Sequence, residues 1–269
     1  ASGVVKSVGK LLLNHGVSES WMPATAGLLF LPVFVLAVWL LSLLPPPSPA
    51  DQAARVARAP MHKHQRRAFV RRFFGGLALL TVVHVFMTAY RDFRDNFAAE
   101  IWTELGRASG SGIFTLTELP VALAVLTALA LLYKVRDNRK GLLATHVLML
   151  AGAITIGVAT LLFDARVIDD VIWMTLVGLG LYLAYVPYGT VLFDRLIAAM
   201  GVVATAVFMI YVTDAAGYLG SVGILVYKET LYASTGVLDF FRAFSYVTAG
   251  LCSVGFTLSW VYFARKPRP

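Results

Sequence analysis

The stretch HVFMTAYRDFRDNFAAEIWTELG gathers the side chains best suited to chemistry: His84, Arg91, Asp92, Arg94, Asp95, Asn96, Glu100 and Glu104. On a helix, Asp92, Asn96, Glu100 and Glu104 recur every four residues as one polar ridge, and His84, Thr88, Arg91 and Asp95 form a second ridge beside it. Arg91 and Asp95 have the i, i+4 spacing of an ion pair. Such groups can exchange protons, hold a charged solute or close a gate. The Asp92, Asn96, Glu100 ladder has the oxygen chemistry of a divalent-cation site, but no convergent partner follows in the sequence. No metal site and no cofactor is therefore assigned. His62 and His64 lack acidic or cysteine partners and read as loop residues.

Three further stretches carry candidates. GLGLYLAYVPYGTVLF places Tyr182, Tyr185 and Tyr188 beside Pro187, which cannot donate to the Leu183 carbonyl, and beside Gly178, Gly180 and Gly189. A broken helix there, lined by tyrosines, suits a cavity wall. YVTDAAGYLGSVGILVYKE carries Asp214 and Lys228, with Gly217, Gly220 and Gly223 marking a helix break or a close helix contact. VLDFFRAF sets Asp239 and Arg242 at i, i+3. Arg91, Asp92, Arg94, Asp95, Asp214, Lys228, Asp239 and Arg242 all fall at the outer ends of three helices. Together they predict one salt-bridge layer acting as an extracellular gate over a more apolar cavity. His84 is the only ionisable residue placed clearly deep in a span, and Asp214 is placed toward the outer end rather than at the midplane.

The elements that must position these residues are transmembrane helices. The chain of 269 residues is 58% hydrophobic and 14% charged, against about 25% charged in an ordinary soluble domain. Seven continuous apolar segments, 21–44, 73–90, 113–133, 142–163, 171–193, 196–211 and 236–263, are each long enough to cross a bilayer. A β-barrel would alternate in polarity over short segments, which these do not. The predicted fold class is an all-α polytopic bundle. Carried on from residue 73 to 105, the second helix is about 50 Å long and projects beyond the membrane. In TLTELP, Thr115 and Glu118 have capping-box spacing and Pro120 suits a first turn, so Glu118 reads as a cap rather than a proton carrier. Ala249, Ser253, Gly255 and Ser259 form two small-xxx-small pairs for close packing, and Cys252, the single cysteine, reads as a packing residue.

Alternating the connectors across the seven spans puts 15 of the 23 Lys and Arg residues on one side with only 3 of the 15 acids. That side is predicted to be cytoplasmic, with the C-terminus on it. The basic residues are scattered over juxtamembrane loops, which argues against nucleic acid as a partner and for the lipid bilayer, including anionic head groups. LLPPPSPADQ is the strongest boundary. It divides the chain into 1–20, read as the end of a truncated upstream helix, a span at 21–44, a basic cytoplasmic linker at 45–72 and a six-helix bundle at 73–269. Missing N-terminal helices of the same protein are thus an expected partner.

A long basic linker followed by six closely spaced spans resembles the C-terminal half of a major-facilitator-type transporter. RDFRDNFAAEIWTELG, PYGTVLFDRLIAAM and TDAAGYLGSVGILVYK resemble a bacterial family of major-facilitator-like membrane proteins known only as a domain of unknown function, over most of the chain from about residue 21. The resemblance implies a bacterial inner-membrane location, spans corresponding to the sixth to twelfth helices of a twelve-helix protein, and a solute site between two halves. The expected function is secondary transport of a small, unidentified solute by alternating access. A seven-helix receptor or sensor is the alternative, although the last span has no mid-helix Lys for a retinal Schiff base. With no HExxH pair, cysteine cluster or P-loop, the chain is not expected to be an enzyme.

Overall fold

The computed structural model describes residues 2–46, 61–107, 112–202 and 204–266, and the described residues that form regular structure are helical. Among the described residues, seven helices are long and apolar enough to cross a membrane, so the protein is an all-α membrane-helix bundle. The chain divides into two compact units, residues 1–60 with 110–119, and residues 61–109 with 120–269.

In the first unit, α1 (Ser2–Asn14) packs on α2 (Met22–Ser42). The contact runs over small residues, with a Cβ at Gly9 falling 3.2 Å from Met22 Sδ. Most of α2 exposes leucine, valine and aromatic side chains, as expected of a helix facing lipid. The first turns of α5 (Ile113–Tyr133) belong here too. Thr115 and Glu118 do not form a capping box. Both lie inside the helix, where Thr115 Oγ1 donates to Ser7 Oγ (2.8 Å) and Glu118 accepts the Gly3 amide (2.6 Å). The side chains meet a second helix that spacing within their own helix cannot report.

The second unit holds α3 (Lys63–Asn96), α4 (Ala98–Glu104), the rest of α5, α6 (Asn138–Asp164), α7 (Asp170–Pro187), a π-helical turn (Tyr188–Leu192), α8 (Phe193–Met200), α9 (Ala206–Leu231) and α10 (Val237–Arg265). α3, α10, α6 and α7 pack as a closed ring, and α9 lies against α3. Glycines set the closest crossings. A Cβ at Gly152 of α6 would sit 2.5 Å from the Gly180 carbonyl of α7, and one at Gly255 of α10 would sit 2.3 Å from a Val83 methyl of α3. The small residues of the last span therefore do serve packing, and Cys252 is fully buried against α3.

Several boundaries differ from those predicted. α3 begins at Lys63, inside the segment read as linker, where the Gln65 side chain accepts the His62 amide at 2.8 Å; residues 47–60 lie outside the described residues. α3 kinks at the buried Phe73 (φ −115°, ψ 17°) and ends at Asn96. The predicted 33-residue rod is thus broken at Phe97, and Glu104 is released from the polar ridge. Its carboxylate instead accepts the Val237 and Leu238 amides (2.9 and 2.8 Å) and caps α10. The span predicted at 171–193 extends through the π-helical turn to Met200. Gly201, in the left-handed region (φ 59°), ends it. The next span runs over Ala206–Leu231 rather than 196–211, a shift that moves Asp214 from the outer end of its span into its interior.

Candidate functional site

Three helices of the second unit, α3, α7 and α9, meet at His84. Its Nε2 lies 3.1 Å from Asp214 Oδ1 of α9, with the imidazole 1% exposed and the carboxylate 37% exposed. The approach depends on Gly217, one turn beyond Asp214, because a Cβ there would lie 2.6 Å from Thr88 Oγ1 and 3.2 Å from His84 Cδ2. Two tyrosines of the Pro187 region pack on the imidazole. Tyr185 stacks on it (centroids 5.3 Å, 15° between planes) and Tyr188 tilts against it at 4.4 Å. Tyr188, buried, donates to the Leu80 carbonyl of α3 at 2.9 Å.

Arg91, two turns along α3, donates to the Tyr185 hydroxyl and stands 4.6 Å from its ring centroid. It also pairs with Asp92 at 2.6 Å. The predicted Arg91–Asp95 pair is not formed, since Arg91 turns toward α7. Six of the candidates, His84, Arg91, Asp92, Tyr185, Tyr188 and Asp214, thus form one cluster. These are groups of the kind that can hold or exchange a proton. With Asp214 ionised, Nε2–H is the donor, and Nδ1 is left as a buried acceptor to which no described residue donates a hydrogen bond. The Thr88 hydroxyl, one turn away on α3, is likewise buried without a partner among the described residues.

The other candidates lie elsewhere, so the predicted single salt-bridge layer is corrected to separate clusters. Arg94 is buried beside Gly178, donates to the Met174 carbonyl (3.3 Å) and lies 4.0 Å from Asp95. Arg242 pairs with Asp239 (3.1 Å), as predicted, and with Asp164 of α6 (2.7 Å), whose other oxygen accepts from Tyr246 (2.8 Å). Lys228 is buried in the last turn of α9, and Asn96 is exposed at the end of α3. Arg107, outside the spans, pairs with Asp170 at the start of α7, and the hydrogen bond holds its guanidinium above the ordinary arginine range. Side chains on helices with different axes face different neighbours even at one depth, which is why membrane depth alone did not predict the pairing.

Sequence reasoning missed His146. It is fully buried in α6, where Nε2 lies 3.1 Å from Ser259 Oγ and Nδ1 lies 2.9 Å from the Leu142 carbonyl. His84 is therefore not the only ionisable residue inside a span. The available signal was a histidine within the apolar run LLATHVLML. Asp164, the hub for Arg242, was missed because it sits at a helix end where acids are ordinary.

No curated protein and no solved structure matches the chain. A family model described as a family of unknown function (DUF5690) matches residues 1–266, and the chain belongs to that family.

Proposed function

We propose that this member of the DUF5690 family is a secondary-transporter-like protein that moves a small solute across the bacterial inner membrane by alternating access, on a major-facilitator-like plan, with its C-terminus in the cytoplasm. The observation that carries the reading is the His84–Asp214 pair, an ionisable couple shared by two membrane helices and packed against the widened turn of a third. Ionisable groups inside a membrane are costly and mark proton or solute pathways. A π-helical turn after an interior proline supplies a locally adjustable helix. Protonation at Nδ1 converts His84 to an imidazolium held by Asp214, and a solute bearing a donor can compete for the same acceptor. Proton and solute binding are thereby linked at one site. The sensor alternative rests on the predicted topology, an outside N-terminus and an inside C-terminus across seven spans, and the last seven helices of a twelve-helix transporter have the same topology.

Cys252 is the only cysteine and is buried, so engineered cysteines can be labelled on a quiet background. Under alternating access, a Tyr185→Cys variant in sealed vesicles reacts with a membrane-impermeant maleimide added on either side. Reaction from one side only, under every pH and solute condition tried, sinks the reading.

A further inference from the structure

We infer that the groove between α3 and α10 at the basic end of the second unit is a binding site for one anionic phospholipid. The groove is an open surface trough with a volume of about 600 Å³. Its apolar wall is made by Leu79 of α3 and by Leu258 and Val261 of α10, and Arg265 and Lys266 line its mouth. Gly75 makes the trough: it has no side chain to fill it, and a Cβ there would lie 3.2 Å from the Tyr262 ring.

One of the two mouth cations, Lys266, is held over aromatic faces. Lys266 Nζ stands 4.8 Å from the Tyr262 ring centroid and 6.0 Å from that of Phe73, at the α3 kink. Arg72 stands 5.4 Å from the same Phe73 ring. Among the described residues, Arg265 and Lys266 meet no carboxylate. Aromatic faces place positive charge without neutralising it, so the mouth keeps its charge for an anion. Positive charge at one end and hydrocarbon along the remainder match a phosphate head group with an acyl chain. A net-negative lipid is favoured because a zwitterionic one brings its own cation to the same mouth.

Two neighbouring surfaces lack this combination. The basic face lined by Lys63, His64, Arg67, Ala68 and Arg71 comes from one helix and includes no apolar side chain larger than alanine. The groove of Val85, Phe86, Gly220 and Ile224 between α3 and α9 is apolar but has no cation.

The test is native mass spectrometry, with thermal unfolding, of the full chain in detergent, using dioleoyl phosphatidylglycerol against dioleoyl phosphatidylcholine. One tightly retained phosphatidylglycerol and a higher Tm with that lipid alone are expected. The Arg265→Gln/Lys266→Gln variant should weaken retention by about 30-fold, from the usual contribution of two basic residues near an anionic surface. Gly75→Leu, which fills the trough and keeps the charge, should lose the lipid as well, and Lys63→Gln/Arg67→Gln should keep it. Equal retention of both lipids, unchanged retention in the Arg265/Lys266 variant, or the same Tm rise from inorganic phosphate alone would overturn the assignment.

Discussion

His84 Nε2 and Asp214 Oδ1 lie 3.1 Å apart although 130 positions separate them in the chain. The contact exists because Gly217 admits the α3 side chains to the surface of α9. Hydrogen bonds between membrane helices average about 0.6 kcal/mol and reach about 1.7 kcal/mol. A double-mutant cycle of His84→Ala and Asp214→Ala, read by unfolding in detergent, should give a coupling toward the upper end of that range, since one partner is buried. Purely additive losses would mean the two side chains do not interact.

Function should separate the clusters. Asp214→Asn keeps the shape of the carboxylate and removes its charge, and Arg91→Gln removes the guanidinium that stands on Tyr185. Both should reduce solute-driven flux in reconstituted vesicles by at least about tenfold, the scale of one lost charge-assisted hydrogen bond. Asp239→Asn, at a side chain 68% exposed, should leave flux unchanged and alter stability by less than about 1 kcal/mol. Wild-type flux in both Asp214→Asn and Arg91→Gln would remove the cluster from the transport path.

The π-helical turn offers a test in which stability and activity move apart. Pro187→Ala restores the missing amide opposite Leu183 and lets α7 continue as a regular α-helix. The variant should melt at or above the wild-type temperature and transport more slowly, because the adjustable turn is lost. Faster or unchanged transport would contradict a role for that turn.

The Gly152–Gly180 crossing predicts a contrast between glycines. Gly152→Ala sets a methyl 2.5 Å from a backbone oxygen that cannot rotate away, and should cost about 1–3 kcal/mol. Gly250→Ala, on α10 with open space around its Cβ position, should be neutral or slightly stabilising through helix propensity. Equal melting temperatures for the two variants would show that the crossing tolerates spreading.

The Glu104 cap predicts a local effect. Glu104→Ala leaves the Val237 and Leu238 amides without their acceptor and should cost about 1 kcal/mol. Hydrogen exchange should accelerate at those two amides while the middle of α10 is unaffected. Unchanged protection would mean water replaces the carboxylate at no cost.

The sequence by itself determined that the chain is a bundle of seven membrane-spanning helices, because an apolar run of about 20 residues has few other ways to satisfy its backbone. The bounds of α5 agree with the predicted span to the residue, and the Asp239–Arg242 pair followed from helical spacing alone. Both are local properties. Hydropathy also located Pro187 and its tyrosines, without revealing that the chain widens into a π-helical turn there instead of breaking.

What the tertiary structure decided was partnership. Asp214 looked like an outer-end residue while its span was taken to end near 211; with the helix beginning at Ala206 it meets His84. Arg91 had Asp95 within reach on its own helix and turned instead to Tyr185, and Glu104 left its ridge to cap α10. Each outcome depends on which helices adjoin and at what rotation, set by glycine contacts such as Gly217 on Thr88 and Gly255 on Val83. Helix periodicity fixes which residues share a face. The identity of the facing helix comes only from packing the whole bundle.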